Sequence, residues 1–251
     1  MRAEVIKGLQ ERAARAQPAE LVEHRGGWWL RHAPRCSWWV GTVLPHAHAE
    51  GGELVDRVAG AEEFYAGQGA VAGFQVSPGV CPAGLDGLLA ERRYRRVCPI
   101  SLQVGSAATV LGQARAGSLQ VQLSDQPTRA WLEVWHTAYD GEDDSRGEWD
   151  MLGRVAGQCA YACAVDGGNA VAVCRAVADQ GWTGVFSMAT LPLARGKGAA
   201  TAVLKALAEW ADGHGADRMY LQVEPGNAAA VRLYGQAGFA EVCAYHYRTA
   251  P

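Results

Sequence analysis

The 251-residue sequence has no apolar run of about 20 residues, the length that would span a bilayer. Its first 17 residues carry Arg2, Lys7, Arg12 and Arg15 among Glu4 and Glu11, with no apolar centre of the secretory type. A net charge of −3 lacks the basic excess that binding to nucleic-acid phosphates requires. The seven cysteines contain no Cys-x-x-Cys pair, and an odd number cannot close a full set of disulfides. Cys159 and Cys163 fall four apart, yet two thiolates do not make a zinc site, and core packing is their plain reading. These absences predict a cytoplasmic chain with reduced thiols, no metal, no membrane partner and no nucleic-acid partner. What is present is apolar: 49% of the residues, enough for a sizeable core in one large or two small domains.

Two phosphate-binding motifs are missing as well. A P-loop needs Ser or Thr after its lysine, and Gly198 follows Lys197. A dinucleotide fingerprint needs a third glycine near position 201, where Thr201 stands, and an acidic residue ending the next strand, whereas Asp217 precedes it. A different phosphate device remains. Phe186 to Thr190 reads as a strand, and from Gly198 the apolar positions Ala200, Val203, Leu204, Leu207 and Ala211 follow helical spacing. Between them, Leu191 to Thr201 holds Arg195, Gly196, Lys197 and Gly198, a basic, glycine-rich turn at a helix N-terminus. The first N–H groups of a helix lack partners, its dipole is positive there, and glycine lets a pyrophosphate approach closely.

Arg195-x-x-Gly198-x-Ala200 resembles the pyrophosphate loop of the GNAT superfamily of N-acetyltransferases. Downstream, Leu221-Gln222-Val223-Glu224-Pro225-Gly226-Asn227, Ala230, Leu233-Tyr234 and Gly238-Phe239 resemble the strand and helix that follow that loop in the family. The resemblance covers roughly the last 130 residues, a normal length for one domain. It implies an acetyl-CoA-dependent acetyltransferase with an α/β (α+β) fold, a mixed and largely antiparallel sheet flanked by helices.

The N-terminal half repeats this pattern. Thr42-Val43-Leu44-Pro45 lies on Ala189-Thr190-Leu191-Pro192, and Phe74 to Gly79 lies on Leu221 to Gly226, both at an offset of 147. With two extra residues in the first copy, Arg93 to Cys98 falls on Gly238 to Cys243. The sequence therefore predicts two copies of one domain, 1–116 degenerate and 117–251 catalytic. The same register puts His48, Glu50 and Glu53 on Arg195, Lys197 and Ala200, and Val80 on Asn227. Carboxylates replace cations in the first loop, which disfavours an anion there. His46-x-His48-x-Glu50 shows no further metal ligand and reads as part of that altered loop.

Coarse elements follow from periodicity and turn residues: a helix from Met1 to Ala16, a hairpin about Gly26-Gly27, a strand from Ser37 to Leu44 and a short joint at Ala116 to Ser118. In the second copy a strand runs from Leu119 to Leu123, and helices are expected at about Thr128–Thr137 and Glu148–Cys159. A hairpin then turns at Gly167-Gly168. Trp28-Trp29 and Trp38-Trp39, placed on strands, would send one ring of each pair to either sheet face, with core expected for one of Trp38 and Trp39.

Acetyl transfer to an amine needs a held thioester, a neutral amine, a stabilised oxyanion and a proton for the leaving thiolate. The resemblance assigns the thioester and pantetheine arm to backbone groups of Met188, Ala189 and Thr190. The pyrophosphate goes to the N–H groups of Arg195, Gly196, Lys197, Gly198, Ala199, Ala200 and Thr201. Asn227 reaches the pantetheine or caps the helix at Ala228, two compatible roles. Tyr234, two helical turns on, is the implied general acid. Where relatives often carry a glutamate base this chain has Gln222, which accepts no proton at neutral pH, and Ser187 stands on the preceding strand. Glu224, on the face of Gln222, or a water relay takes that role. Asp140, Glu142, Asp143, Asp144 and Glu148 read as a solvated acidic face, with attraction of a cationic acceptor as the functional alternative. The implied acceptor is a primary amine of a small molecule, against a protein N-terminus or lysine, or against a CoA-binding sensor without turnover. Whether the chain is a monomer or a homodimer is left open.

Overall fold

In the computed structural model, residues 2–113, 119–139 and 146–250 are described. The joint expected at Ala116 to Ser118 and the acidic residues Asp140 to Asp144 lie outside them. The described residues pack as two units. One is drawn from Met1–Ser101, Arg146–Arg154 and Val242–Pro251, the other from Leu102–Ser145 and Val155–Glu241. The units are thus discontinuous in sequence, where two continuous stretches, 1–116 and 117–251, had been expected.

The first unit starts with helix α1 (Arg2–Ala16) and the hairpin β1 (Leu21–Arg25) and β2 (Trp28–His32), paired from Leu21↔His32 to Arg25↔Trp28. Gly26 and Gly27 turn it with φ of 53° and 78°, as a two-residue hairpin of this hand requires. Helix α2 (Gly51–Gly67), strand β3 (Gly73–Val76), helix α3 (Leu85–Glu91) and strand β4 (Arg95–Ser106) follow. Trp28, Leu30, Val58, Tyr65, Phe74, Leu85 and Leu89 form its core.

The strand expected at Ser37 to Leu44 is a correction. Trp38–Gly41 is a short 3-10 turn, and only Val43 and Leu44 make β-bridges, to Phe74 and Trp29. The buried Arg31 accounts for this. Its Nε donates to the Thr42 carbonyl at 2.8 Å, and one Nη donates to the Trp39 carbonyl and the Thr42 hydroxyl, so these groups are spent on a side chain. Trp38 and Trp39 consequently remain 42% and 39% exposed, and neither is core. Trp28, on a real strand, is buried.

The second unit begins with the end of β4 and helix α4 (Ala107–Gln113). Strand β5 (Gln120–Ser124) and helix α5 (Arg129–Ala138) come next, and the Thr128 hydroxyl caps α5 by accepting from Trp131 N. Helix α6 (Arg146–Gly153) is shorter than the expected Glu148–Cys159, and Cys159 opens strand β6 (Gln158–Asp166) instead. α6 packs in the first unit. A Cβ at Gly147 would run into the Arg35 carbonyl, and Glu148 accepts from Ser37 N at 3.1 Å. β6 and strand β7 (Asn169–Asp179) form the hairpin expected at Gly167-Gly168, and strand β8 (Trp182–Thr190) returns beside β7.

Helix α7 (Ala199–Gly213) lays Val203, Leu204, Leu207, Ala208 and Ala211 over Ala160, Ala162, Ala164, Ala172 and Ala176 of β6 and β7. The small strand residues let the helix approach closely. Strand β9 (Arg218–Val223), helix α8 (Ala228–Gln236) and strand β10 (Ala240–Thr249) complete the chain. Across the second unit the strands run β9-β8-β7-β6-β5, antiparallel except for β8 and β9. β10 instead pairs antiparallel with β3 in the first unit, from His246↔Val76 to Thr249↔Gly73.

Candidate active site

The site is built where β8 leaves β9. Parallel pairing runs from Trp182↔Arg218 to Val185↔Leu221 and ends there. On its other side β8 pairs with β7 at Thr190↔Ala172 and Ala189↔Val173, then resumes at Phe186↔Arg175, so β8 carries one residue more than β7 across this interval. Such a bulge bends its strand. Ser187, inside it, takes φ +53°, a left-handed conformation that a non-glycine residue adopts at some cost. Beyond the bulge, Met188, Ala189 and Thr190 therefore run without a β9 partner, leaving a notch with Gln222 and Val223 on its other side.

β8 leads into the basic turn. Pro192–Ala194 is a single 3-10 turn, then Arg195, Gly196, Lys197 and Gly198 are exposed. Gly196 and Gly198 have φ of 75° and 81°, and a Cβ at either would meet nothing within 4 Å. The backbone is thus open to a ligand from outside. α7 starts at Ala199, which is buried and anchors the turn, and the N–H groups of Ala199, Ala200 and Thr201 precede the first acceptor that a helix supplies to itself. Arg195 Nε donates back to the Thr190 carbonyl at 3.3 Å, holding the cation beside the end of β8.

On α8, Asn227 accepts from Ala230 N at 3.1 Å and so caps the helix. Tyr234 is buried, its ring 5.9 Å edge-on from Phe239. Burial first, then the Cys174 thiol and the Tyr139 phenol, push its hydroxyl well above the usual tyrosine range, which keeps it protonated. Glu224 is exposed just past the end of β9. A cleft of about 470 Å³ begins at Thr201 and Leu204 on α7 and continues to Leu233, Gln236 and Ala237 on α8, closed by Val110 and Gln113 of α4.

The family model described as the acetyltransferase (GNAT) family matches residues 121–239, a stretch that contains the bulge, the notch, the basic turn and Tyr234. Residues 121–239 are a GNAT acetyltransferase domain. The protein is an acetyltransferase. The uncharacterized N-acetyltransferase YobR of Bacillus subtilis (strain 168) is 28% identical over 246 residues, 97% of this chain and 98% of that one. A GCN5-related N-acetyltransferase from Kribbella flavida has the same fold with a TM-score of 0.74 at 17% identity, over 99% of this chain and 95% of that one. A tandem GNAT protein from the clavulanic acid biosynthesis pathway gives a TM-score of 0.63 at 14% identity, over 88% of this chain and 73% of that one.

Outside the GNAT domain match, one helix and one strand of the first unit fall at the 147-residue offset from elements of the second. Moved by 147 residues, α2 would occupy 198–214, and α7 occupies Ala199–Gly213; β3 would occupy 220–223, inside β9. Its turn differs. His48 pairs with Glu50 at 3.0 Å, and His46 is buried with its ring nitrogens 3.0 Å from Gln10 and 3.3 Å from Glu11, both on α1. Gln10 also donates to the Ser77 hydroxyl at 2.5 Å, so one α1 side chain joins the turn to the end of β3.

Of the residues singled out in the sequence, the structure gathers Met188 to Thr190 and Arg195 to Thr201 on one continuous strand, turn and helix start. Asn227 and Tyr234 follow on α8. Glu148 is a correction: it was expected on the acceptor loop and its carboxylate is engaged by Ser37 in the first unit. Sequence reasoning missed the α5 residues. Trp131 Nε1 donates to the Cys174 carbonyl and the Tyr139 hydroxyl donates to the Met188 carbonyl, each at 3.2 Å. Their eight-residue spacing was a legible one-face signal, but nothing in the sequence marked the bulge they meet.

Proposed function

We propose that the enzyme transfers an acetyl group from acetyl-CoA to a primary amine of a small molecule, and that its second copy, 117–251, alone does so. The observation that carries this reading is the sequence of an opened strand pair, a glycine turn with space above it, two cations and a helix N-terminus along Phe186 to Thr201. When bound, acetyl-CoA supplies an activated acyl carbon and a thiolate leaving group. The residues fit it. The open faces of Gly196 and Gly198, the N–H groups through Thr201 and the charges of Arg195 and Lys197 suit a pyrophosphate. The notch beside Met188, Ala189 and Thr190 suits an extended arm whose amides hydrogen-bond to an unpaired strand edge. Asn227 serves by capping α8 and so fixing Tyr234.

Tyr234 is the proton donor in this reading. A hydroxyl held protonated by burial can give its proton to a thiolate as that charge forms. The base is Glu224, directly or through a water, since Gln222 beside it cannot accept a proton. In this reading the 1–116 copy is degenerate: Val43 is hydrogen-bonded to β3 where the second copy has its notch, and Gln10 of α1 contacts His46 and Ser77 beside it.

Thiol release from acetyl-CoA, followed over a panel of amines, tests this reading. Release with at least one small amine is expected. Release only with peptide N-termini or lysines would move the acceptor to proteins, and tight acetyl-CoA binding with no release on any amine would favour a sensor, as Gln222 in the usual base position allows.

A further inference from the structure

Two side-chain donors meet the sheet inside the bulged interval. Pairing between β7 and β8 passes from Val173↔Ala189 to Arg175↔Phe186, so across this pair neither Cys174 nor Met188 has a partner, while on its other side Cys174 pairs with Ala162 of β6. A bulge disrupts the ladder locally, which lets side chains engage the backbone there. Trp131 on α5 donates to the Cys174 carbonyl, and Tyr139, the residue that ends α5, donates to the Met188 carbonyl.

The two donors differ in kind. Trp131 is 1% exposed, packed edge-on against Tyr161, and belongs to the core. Tyr139 is 64% exposed and stands at the C-terminal end of α5, touching the sheet by its hydroxyl. That end is nonetheless sheltered, and burial, then Cys174, then the Glu224 carboxylate, raise its pKa, so the hydroxyl stays a donor at neutral pH.

We propose that Tyr139 is a positioning residue for acetyl transfer: by holding the Met188 carbonyl it fixes the Met188–Ala189 peptide plane in the notch where the thioester is to lie. This rests on the transfer reading above. Because the ring is exposed and the fold is secured by Trp131, removing the hydroxyl loosens that peptide without unfolding the domain. A small misplacement of reacting groups costs rate more than binding.

The test is Tyr139→Phe against wild type. Acetyl-CoA affinity is measured by calorimetry, thiol release is measured with hydroxylamine as the probe acceptor, and thermal melting is recorded. We expect a kcat about 10-fold lower, with acetyl-CoA affinity, hydroxylamine KM and melting temperature essentially unchanged. A kcat within about two-fold of wild type would overturn the proposal. So would a rate loss accompanied by equal losses of acetyl-CoA binding and melting temperature, which marks a merely structural role. Wild-type protein that binds acetyl-CoA without releasing thiol on hydroxylamine or on any amine of the panel above, or does not bind it, overturns the transfer reading and this inference with it, a failure visible before the variant is made.

Discussion

At offset positions the two units do opposite things with the same parts. In the first, Val43 N donates to the Gly73 carbonyl at 2.8 Å and Gln75 N donates to the Val43 carbonyl at 3.0 Å, so the strand before the turn is fastened to β3. In the second, the corresponding positions are Thr190 and Leu221, and β8 has already left β9 five residues earlier, at Val185. Both helices begin at a left-handed glycine, Gly51 at φ +53° and Gly198 at φ +81°. The backbone turn is therefore alike in both units. What separates them is a bulge at Ser187, which opens one strand pair, and the side chains on the turn, which are cations in one unit and a His–Glu pair in the other. A helix N-terminus alone is not a binding site; it needs an opened edge leading to it.

The largest expected effect breaks this contrast directly. Arg195→Glu should weaken acetyl-CoA binding about 100-fold by calorimetry, while His48→Glu should change it less than about two-fold. Comparable losses would mean that the first turn also binds. Tyr234→Phe should lower kcat about 100-fold with acetyl-CoA affinity unchanged, because a proton donor acts in the transition state. An unchanged kcat would remove Tyr234 from the chemistry.

Two smaller effects sharpen it. Gly198→Ala and Gly51→Ala should each cost about 1 kcal/mol of stability by chemical denaturation, since both impose a side chain at positive φ. Only Gly198→Ala should also reduce acetyl-CoA affinity. The last concerns β10. Asp86 on α3 accepts from Arg248 Nε and His246 Nε2 of β10, both at 2.8 Å, and Arg248 chiefly, with His246, pulls its carboxyl down to about 2. A lowered carboxyl stabilises the fold above its unfolded value near 4, and this contribution fades as pH falls toward 2. With the Asp86 side chain 44% exposed, screening leaves about 1 kcal/mol. Asp86→Asn should therefore melt lower at pH 7, and the gap to wild type should close by about pH 2.

Much of this was legible in the sequence because it depends on local spacing. The basic turn, α7 and the hairpins at Gly26-Gly27 and Gly167-Gly168 are set by residues within one turn or one strand. The rest depends on distant partners. Arg31 withdraws the carbonyls of Trp39 and Thr42 from strand pairing, and no periodicity in Ser37 to Leu44 announces it. The bulge at Ser187 needs β7 beside it to exist at all. Exchange of the chain's last strand into the first unit is equally silent, since β10 reads the same whichever neighbour it pairs with.

The most direct test of the account is the stoichiometry of acetyl-CoA binding, measured by calorimetric titration of the full chain. One molecule per chain, lost in Arg195→Glu, is the predicted result. Two molecules per chain, or one that persists in Arg195→Glu, would contradict a single working site in the second copy.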